Sequence, residues 1–334
     1  MPLADPFTIS RDTQETAENV VVRISDGDHE GIGGAAPSAH YGETASTVEA
    51  VLPDLLAVVE AVNDPHALSQ IERQMRTVVE SNAAARCAVS IALHDLAAKR
   101  LGVPLYRYWG LDPERTVATS FTIGLDTTER MREKTAAAVE EGYPILKVKL
   151  GTDRDREIIR TVREAAPDAR IRVDANEAWT PHEALHKIET LADLDVEFVE
   201  QPVPAANSEG LRYVHDRSLL PIAADESCIT LADIPKIADR ADIANLKLMK
   251  CGGLREAWRL IHAARAHGLE VMCGCMIESN AAIAAACHLA PALDYADLDG
   301  SLLLAEDPYE GVPIHDGEID FADMERSGTG VRKR

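Results

Sequence analysis

The stretch "ILKVKLG", residues 145–151, alternates apolar side chains with two lysines, Lys147 and Lys149. Side chains two apart in a β-strand share a face, so both ammonium groups point the same way. Such a face is ordinarily wet, yet nothing else in the stretch is polar. What that face looks onto decides the fold.

The neighbouring sequence supplies more strands of the same kind. "TVATSFTIG" (116–124) and "YPILKVKLG" (143–151) are followed by "ARIRVDAN" (169–176), "VEFVEQP" (196–202), "LPIAADES" (220–227), "DIANLKLMK" (242–250), "LEVMCGCM" (269–276) and "YADLDG" (295–300). Helix-composed segments such as "DTTERMREKTAAAVEEG" (126–142) and "LREAWRLIHAARAHG" (254–268) lie between them. Eight short apolar runs recurring roughly every 22 to 30 residues, with helices between, predict a (β/α) barrel. A doubly wound sheet would need a glycine-rich phosphate turn after an early strand, and none is present.

The first ~105 residues read differently, as an α+β unit. "AENVVVRISDGDHEGIGG" (17–34) has the form of a hairpin. "ETASTVEAVLPDLLAVVEAV" (43–62) and "NAAARCAVSIALHDLAAKRLG" (82–102) read as helices, the second with Val89, Leu93 and Leu96 on one stripe and Gly102 as its stop.

Composition narrows the partners. The chain has 334 residues, 46% hydrophobic and only 4% aromatic, so its core is built from Ala, Val, Leu and Ile. A net charge of −22 argues against nucleic acid and anionic membrane as partners. With nine lysines and many more acids, the surface resembles that of a protein working in high salt, which sets a halophilic expectation. The six cysteines have no zinc-site spacing and read as small buried residues in a reducing, cytoplasmic setting. "MPLADPFTIS" lacks the basic start and apolar run of a secretory signal. No run reaches the ~18 apolar residues of a membrane span.

In a barrel, chemistry sits at the C-terminal strand ends. The residues there are Lys147 and Lys149, Asp174 with Asn176, Glu200 with Gln201, Asp225 with Glu226, Lys247, and Asp297 with Asp299. Asp174, Glu200 and Asp225 come from three successive strands. Carboxylates converging in a barrel mouth repel unless neutralised, and a hard cation such as Mg²⁺ does this best. Lys149 and Lys247 flank the triad, one strand before and one after, on opposite sides of a closed barrel. Two amines facing each other suit proton removal on one face of a carbon and proton delivery on the other. That carbon would be α to a carboxylate whose enolate charge is stabilised by Mg²⁺ and lysine. Lys147 and the metal supply the cations that lower the pKa of Lys149.

The ordered motifs "LKVKLG", "VDAN", "VEQP", "ADES", "NLKLMKCGG" and "DLDG" resemble the enolase superfamily, muconate-lactonising subgroup. "AKRLGVP" (98–104) is similar to the end of that family's capping domain. The resemblance spans nearly the whole chain. It implies an α/β fold: a modified (β/α)7β TIM-type barrel with an N-terminal α+β capping domain. The expected boundaries are 1–110 for the cap, 111–300 for the barrel and 301–334 for a segment returning to the cap. It implies Asp174, Glu200 and Asp225 as Mg²⁺ ligands, Lys149 and Lys247 as acid/base catalysts, and Lys147 as a support that contacts a substrate carboxylate. Asn176 and Glu226 stand behind the ligands. The seventh run has no histidine, which favours the two-lysine branch over mandelate-racemase-like members.

Within that branch "DLDG" is the discriminating text. Asp297 and Asp299 share a face, and in dipeptide epimerases a matching Asp-x-Asp binds the substrate's α-ammonium. "MIES" (276–279) is also similar to that family, so Met276 and Ile277, with Thr122, join the expected substrate contacts. The implied reaction converts L,L- to L,D-dipeptides by 1,1-proton transfer at the α-carbon of the C-terminal residue. The expected partner is thus a small dipeptide, and a homo-oligomer is expected. Side-chain specificity should come from two capping loops, "FTISRDTQET" (7–16) and "APSAHYGET" (36–44). Arg11 turned inward would admit an acidic side chain; Asp12 turned inward would favour a basic or neutral one. Lys250 carries no assigned role, and "CGG" (251–253) reads as a turn opening a helix. The competing enzymes are o-succinylbenzoate synthase, N-acylamino-acid racemase and muconate cycloisomerase. Their substrates lack a free ammonium and would strand two carboxylates in a closed pocket. A non-catalytic barrel binding a carboxylate ligand would be expected to have lost a lysine or an acid of the set, and none is missing.

Overall fold

The computed structural model describes residues 1–322, 324 and 326–334. Eight parallel strands follow the cap: β5 (Phe121–Ile123), β6 (Ile145–Lys149), β7 (Arg170–Asp174), β8 (Val196–Glu200), β9 (Ile222–Ala224), β10 (Ile243–Lys247), β11 (Glu270–Gly274) and β12 (Tyr295–Asp297), numbered after the four cap strands given below. Each pairs with the next in sequence, from β5 through β12. A parallel bridge between Thr119 and Ala296 closes the ring ahead of β5. The eight predicted runs are these eight strands.

Alternation sorts each strand into an outer and an inner face. Outward residues such as Leu146, Val148, Val173, Leu246 and Cys273 belong to the main apolar core shared with the helices. Inward residues form layers. The lowest is apolar, with Phe198, Ala223, Ile243 and Met272 packed together and Tyr295 beside them. Arg172 crosses this layer with its guanidinium 5.3 Å from the Phe198 ring and 5.1 Å from the Tyr295 ring. Above it the interior turns polar. Lys147, Lys149, Asp174, Glu200, Asn245, Lys247 and Asp297 all point inward and all are buried. The lysine face of "ILKVKLG" therefore looks into the barrel.

The cap begins with an antiparallel hairpin, β1 (Pro2–Ile9) and β2 (Asp12–Thr16), with Thr8 opposite Thr13 and Ile9 opposite Asp12. Residues 7–16, expected as a capping loop, form the end of this hairpin and its return strand. β2 is exposed along its whole length, so no apolar alternation marks it. Its position is fixed instead by Leu3 and Ala17, which pack with Ile277 and Leu304. The second hairpin, β3 (Val20–Ser25) and β4 (Glu30–Ala35), is the one expected over 17–34. Helices α1 (Ala45–Val62) and α3 (Ala83–Arg100) match the expected helices, and α2 (Leu68–Val78), not singled out in the sequence, lies between them. β4 lies directly on α3: a Cβ at Gly33 would sit 2.0 Å from the Ala88 carbonyl oxygen. The alanines of α3 and the glycines of β4 are what permit this approach.

The segment after the barrel runs back over the cap. Leu304 bridges to Leu3, Gly328 bridges to Pro104, and the Tyr309 hydroxyl accepts from Arg23 Nη2 at 3.2 Å. Among the described residues no helix is long and apolar enough to cross a membrane.

Candidate active site

A cavity of about 500 Å³ lies over the C-terminal end of the barrel, roofed by the first hairpin and the 36–45 segment of the cap. Asp174 ends β7, Glu200 ends β8, and Asp225 follows β9 directly. Register places Lys149 opposite Asp174 and Asp174 opposite Glu200 on adjacent strands. The chain leaves β7 and β8 through positive-φ residues, Asn176 (φ 43°), Glu177 (φ 69°) and Gln201 (φ 36°). Such backbone is costly for residues other than glycine and concentrates at functional sites.

One oxygen from each of Asp174, Glu200 and Asp225 lies within 4.8 Å of the other two, and all three residues are buried. Each carboxylate is held by other groups. Asp174 accepts from the Asn176 amide at 2.8 Å and from Lys149 Nζ at 2.7 Å. Glu200 Oε1 accepts from Asn245 Nδ2 at 2.9 Å. Its Oε2 lies 2.8 Å from Lys147 Nζ but makes no aligned hydrogen bond. Asp225 lies 2.8 Å from Lys247 Nζ, and Lys250 Nζ donates to both its carboxylate and, at 2.6 Å, its backbone oxygen.

The electrostatics set Asp174 and Glu200 apart. Burial pushes Asp174 up, but Lys149 and Lys147 outweigh it and hold the carboxyl down at about 2. Burial together with Asp174 pushes Glu200 up to about 8. Four lysines, Lys147, Lys149, Lys247 and Lys250, pair with the three acids, yet Glu200 Oε2 is left without an aligned donor. An all-oxygen, carboxylate-rich set of this kind fits a hard divalent cation.

Lys149 on β6 and Lys247 on β10 are four strands apart in the eight-stranded ring, and so face each other across the triad. Both line the cavity. Burial lowers the pKa of Lys247, but Asp225 outweighs it and holds the amine well above its ordinary range. Lys147 lies one layer below Lys149, 2.7 Å from Asp297, 2.8 Å from Glu200 and 3.4 Å from Asp174. Those neighbours overcome its burial and keep it charged.

On the opposite wall, Asp297 accepts from Ser120 Oγ at 2.6 Å and from Lys147 at 2.7 Å. Asp299 accepts from the Thr122 amide at 2.6 Å, and burial beside Asp297 pushes its carboxyl up to about 7. Thr122, Met276 and Ile277 line the same cavity. At the roof, Arg11 turns inward. It donates to Glu226 Oε1 at 2.8 Å and to the Asn176 carbonyl at 3.0 Å, and lies 3.5 Å from Glu177. Asp12 stays exposed at the rim, where it accepts from the Thr13 amide at 2.8 Å. Asn176 Nδ2 donates to Glu226 Oε1 at 3.4 Å.

Sequence reasoning left Lys250, Asn245 and Ser120 without roles. Asn245 was accessible to the rule that paired Lys147 with Lys149, since it lies two residues before Lys247 on the same face. Lys250 follows the strand and reaches back under Asp225, a placement that no periodicity announces.

The sequence matches the N-terminal domain of mandelate racemase/muconate lactonizing enzymes over residues 1–110 and the enolase C-terminal domain-like family over 130–333. An L-Ala-D/L-Glu epimerase of Bacteroides thetaiotaomicron is 40% identical over 100% of this chain and 86% of its own. A dipeptide epimerase of Enterococcus faecalis, solved with Mg and L-Leu-L-Tyr, is 34% identical with a TM-score of 0.91, covering 99% of this chain and 96% of that one. A dipeptide epimerase of Methylococcus capsulatus, solved with Mg and L-Arg-D-Lys, is 35% identical with a TM-score of 0.87 over 99% of this chain and 96% of that one. By fold, by motif order and by similarity along its whole length, this chain belongs to the mandelate racemase/muconate lactonizing enzyme family of the enolase superfamily, in its dipeptide epimerase branch.

Proposed function

We propose that this protein is a Mg²⁺-dependent dipeptide epimerase that moves a proton between the two faces of the α-carbon of the C-terminal residue, converting L,L- to L,D-dipeptides. The observation that carries the reading is the placement of Lys149 and Lys247 on opposed strands with three converging carboxylates between them. Asp174, Glu200 and Asp225 would hold the metal. Bound there, Mg²⁺ supplies a positive charge for the substrate carboxylate and for the negative charge that develops as the α-proton leaves. One lysine, neutral at that moment, takes the α-proton from its face. The other, protonated, delivers a proton to the opposite face. Lys147 balances the carboxylates of the floor from the layer below, and its charge would favour the substrate carboxylate above it.

The far wall supports a dipeptide over the other two-lysine substrates. Lys147 and Ser120 already hold Asp297, but among the described residues no lysine or arginine pairs with Asp299. A buried carboxyl at that wall suits the free ammonium of a dipeptide, which succinylbenzoate, N-acylamino acids and muconate all lack. Asn176 and Glu226 brace the metal-side wall, and Thr122, Met276 and Ile277 contact the body of the substrate.

We further infer a cytoplasmic enzyme adapted to high salt, from its charge and cysteine usage, that assembles as a homo-oligomer measurable by native mass. The deciding experiment for the reaction is incubation with Mg²⁺ and pooled L,L-dipeptides in D₂O. Gain of one mass unit at the C-terminal α-carbon, with the L,D product appearing, is expected. Absence of deuterium from every dipeptide would remove the reading.

A further inference from the structure

We propose that the compartment for the side chain of the substrate's C-terminal residue selects a basic side chain. This rests on the epimerase reading and names the substrate class within it. A dipeptide with its ammonium at the β12 wall and its carboxylate at the β7–β9 wall spans the barrel, because β12 and β8 are four strands apart in the ring. Its C-terminal side chain then rises toward the part of the cap above β7–β9. The groups waiting there are Arg11, His40, Tyr41, Asn176, Glu177 and Glu226, of which Glu177 meets the cavity through its contacts with Arg11 and His40.

Arg11 is the one arginine or lysine that the cap contributes to the cavity lining among the described residues. Turned inward, it would be the natural partner of an acidic substrate side chain, but its charge is already used. Glu226 takes it at 2.8 Å, Glu177 lies at 3.5 Å, and the Asn176 carbonyl accepts at 3.0 Å. Two carboxylates for one guanidinium leave the cluster with excess negative charge, and Asp12 adds another at the rim. His40 Nε2, 3.5 Å from Glu177, is held below its ordinary range by burial and by Arg11, so it brings no compensating charge near neutrality.

A second observation is independent of charge. Glu226 Oε2 and Asn176 Oδ1 are buried acceptors with no hydrogen-bond donor, on side chains only 3% and 6% exposed. Buried acceptors are rarely left unmet in native proteins. Both side chains line the cavity, so a turn of either terminal group would bring its acceptor to a donor on a ligand there. An ammonium or guanidinium would offer donors to these acceptors and balance the charge. A carboxylate would meet like charge with no free cation, and an alkyl chain would leave both acceptors unmet.

The test compares kcat/KM for L-Ala-L-Lys, L-Ala-L-norleucine and L-Ala-L-Glu at saturating MgCl₂, read by α-deuterium incorporation. Lysine should exceed norleucine by at least about tenfold and glutamate by at least about a hundredfold. Glu226→Gln releases Arg11 and should lower the Lys/Glu ratio by at least about tenfold. A ratio within one preparation is insensitive to any general loss of activity. Norleucine equal to lysine, glutamate at or above lysine, or an unchanged ratio in Glu226→Gln would each overturn the proposal while leaving the epimerase reading intact. Turnover of no dipeptide at all would overturn both.

Discussion

At the scale of single residues, the proposed site divides into groups that would touch substrate and groups that would hold those in place. Lys149 and Lys247 are assigned to opposite faces of one carbon, so removing either should stop inversion without stopping exchange on the other face. Lys149→Ala and Lys247→Ala are each expected to reduce epimerisation by about 10³-fold or more. In D₂O each variant should still label only one of the L,L and L,D epimers, and the two variants should label opposite ones. Mass spectrometry of the separate epimers reads this directly, and labelling of both epimers by either variant would count against a two-base site. Lys250 shows the other kind of residue. Its side chain is fully buried and its ammonium ties the Asp225 carboxylate to the Asp225 and Asn245 backbone oxygens. Partners that orient a metal ligand typically contribute ten- to hundredfold to metal affinity. Lys250→Met should weaken Mg²⁺ by about that factor in a calorimetric titration, with the circular dichroism of the fold retained.

At the scale of elements, cap and barrel meet through close contacts that substitutions can probe. Gly151, just past β6, adopts φ 111°, and a Cβ there would lie 2.7 Å from both Ala178 Cβ and Ser10 Cβ. Ser10 belongs to the tip of the β1–β2 hairpin. Gly151→Ala should therefore cost roughly 1–2 kcal/mol from the backbone alone and push the tip away, lowering Tm and raising KM together. A second junction joins α2, α3 and the helix Leu254–Ala266. The Leu254 amide donates to Ser90 Oγ at 3.2 Å, and Ser90 donates to Glu72 Oε1 at 2.7 Å. Burial pushes Glu72 up to about 7 from 4.5, with Arg255, Glu256 and Arg259 as the nearby charges. An acid whose folded pKa is raised holds its proton in the folded state after the unfolded chain has lost it. Its contribution is thus present below about 4.5 and is lost as pH rises to about 7. The loss is about 3 kcal/mol as an upper bound. Glu72→Gln should flatten stability across this window and raise Tm at pH 8 relative to the parent, measured by thermal melts from pH 5 to 8. The elements themselves were unevenly legible. The barrel strands announced themselves because each has an apolar outer face and six of the eight end in a charge or run directly into one. β2 did not, since every residue of "DTQET" is exposed and only its backbone pairing makes it a strand. The convergence of Asp174, Glu200 and Asp225 between Lys149 and Lys247 was legible from alternation and strand order. The capture of Arg11 by Glu226 was not, because it joins residues 215 positions apart through the docking of the cap on the barrel.

At the scale of the whole molecule, 56 acidic against 34 basic side chains put a net charge of −22 on a compact chain. Two cations should then stabilise it by different routes. Monovalent salt acts everywhere at once, shortening the screening length from about 10 Å at 0.1 M to about 3 Å at 1 M and so relieving self-repulsion. Its effect should rise gradually with concentration and be indifferent to the identity of any one acid. Mg²⁺ at the triad should act by mass action instead, adding about 2.7 kcal/mol when free metal reaches a hundred times its dissociation constant. That increment should saturate, vanish with chelator and disappear in Asp225→Asn, which leaves the surface charge nearly unchanged. Melting the parent and the variant in KCl from 0.1 to about 2 M, with and without MgCl₂ at matched ionic strength, separates the two. Both proteins should gain Tm with KCl, and only the parent should gain the Mg²⁺ step. A fall in Tm with KCl would mean that surface repulsion is not what limits this fold and would remove the high-salt reading. An equal Mg²⁺ step in Asp225→Asn would place the stabilising ion somewhere other than the three carboxylates.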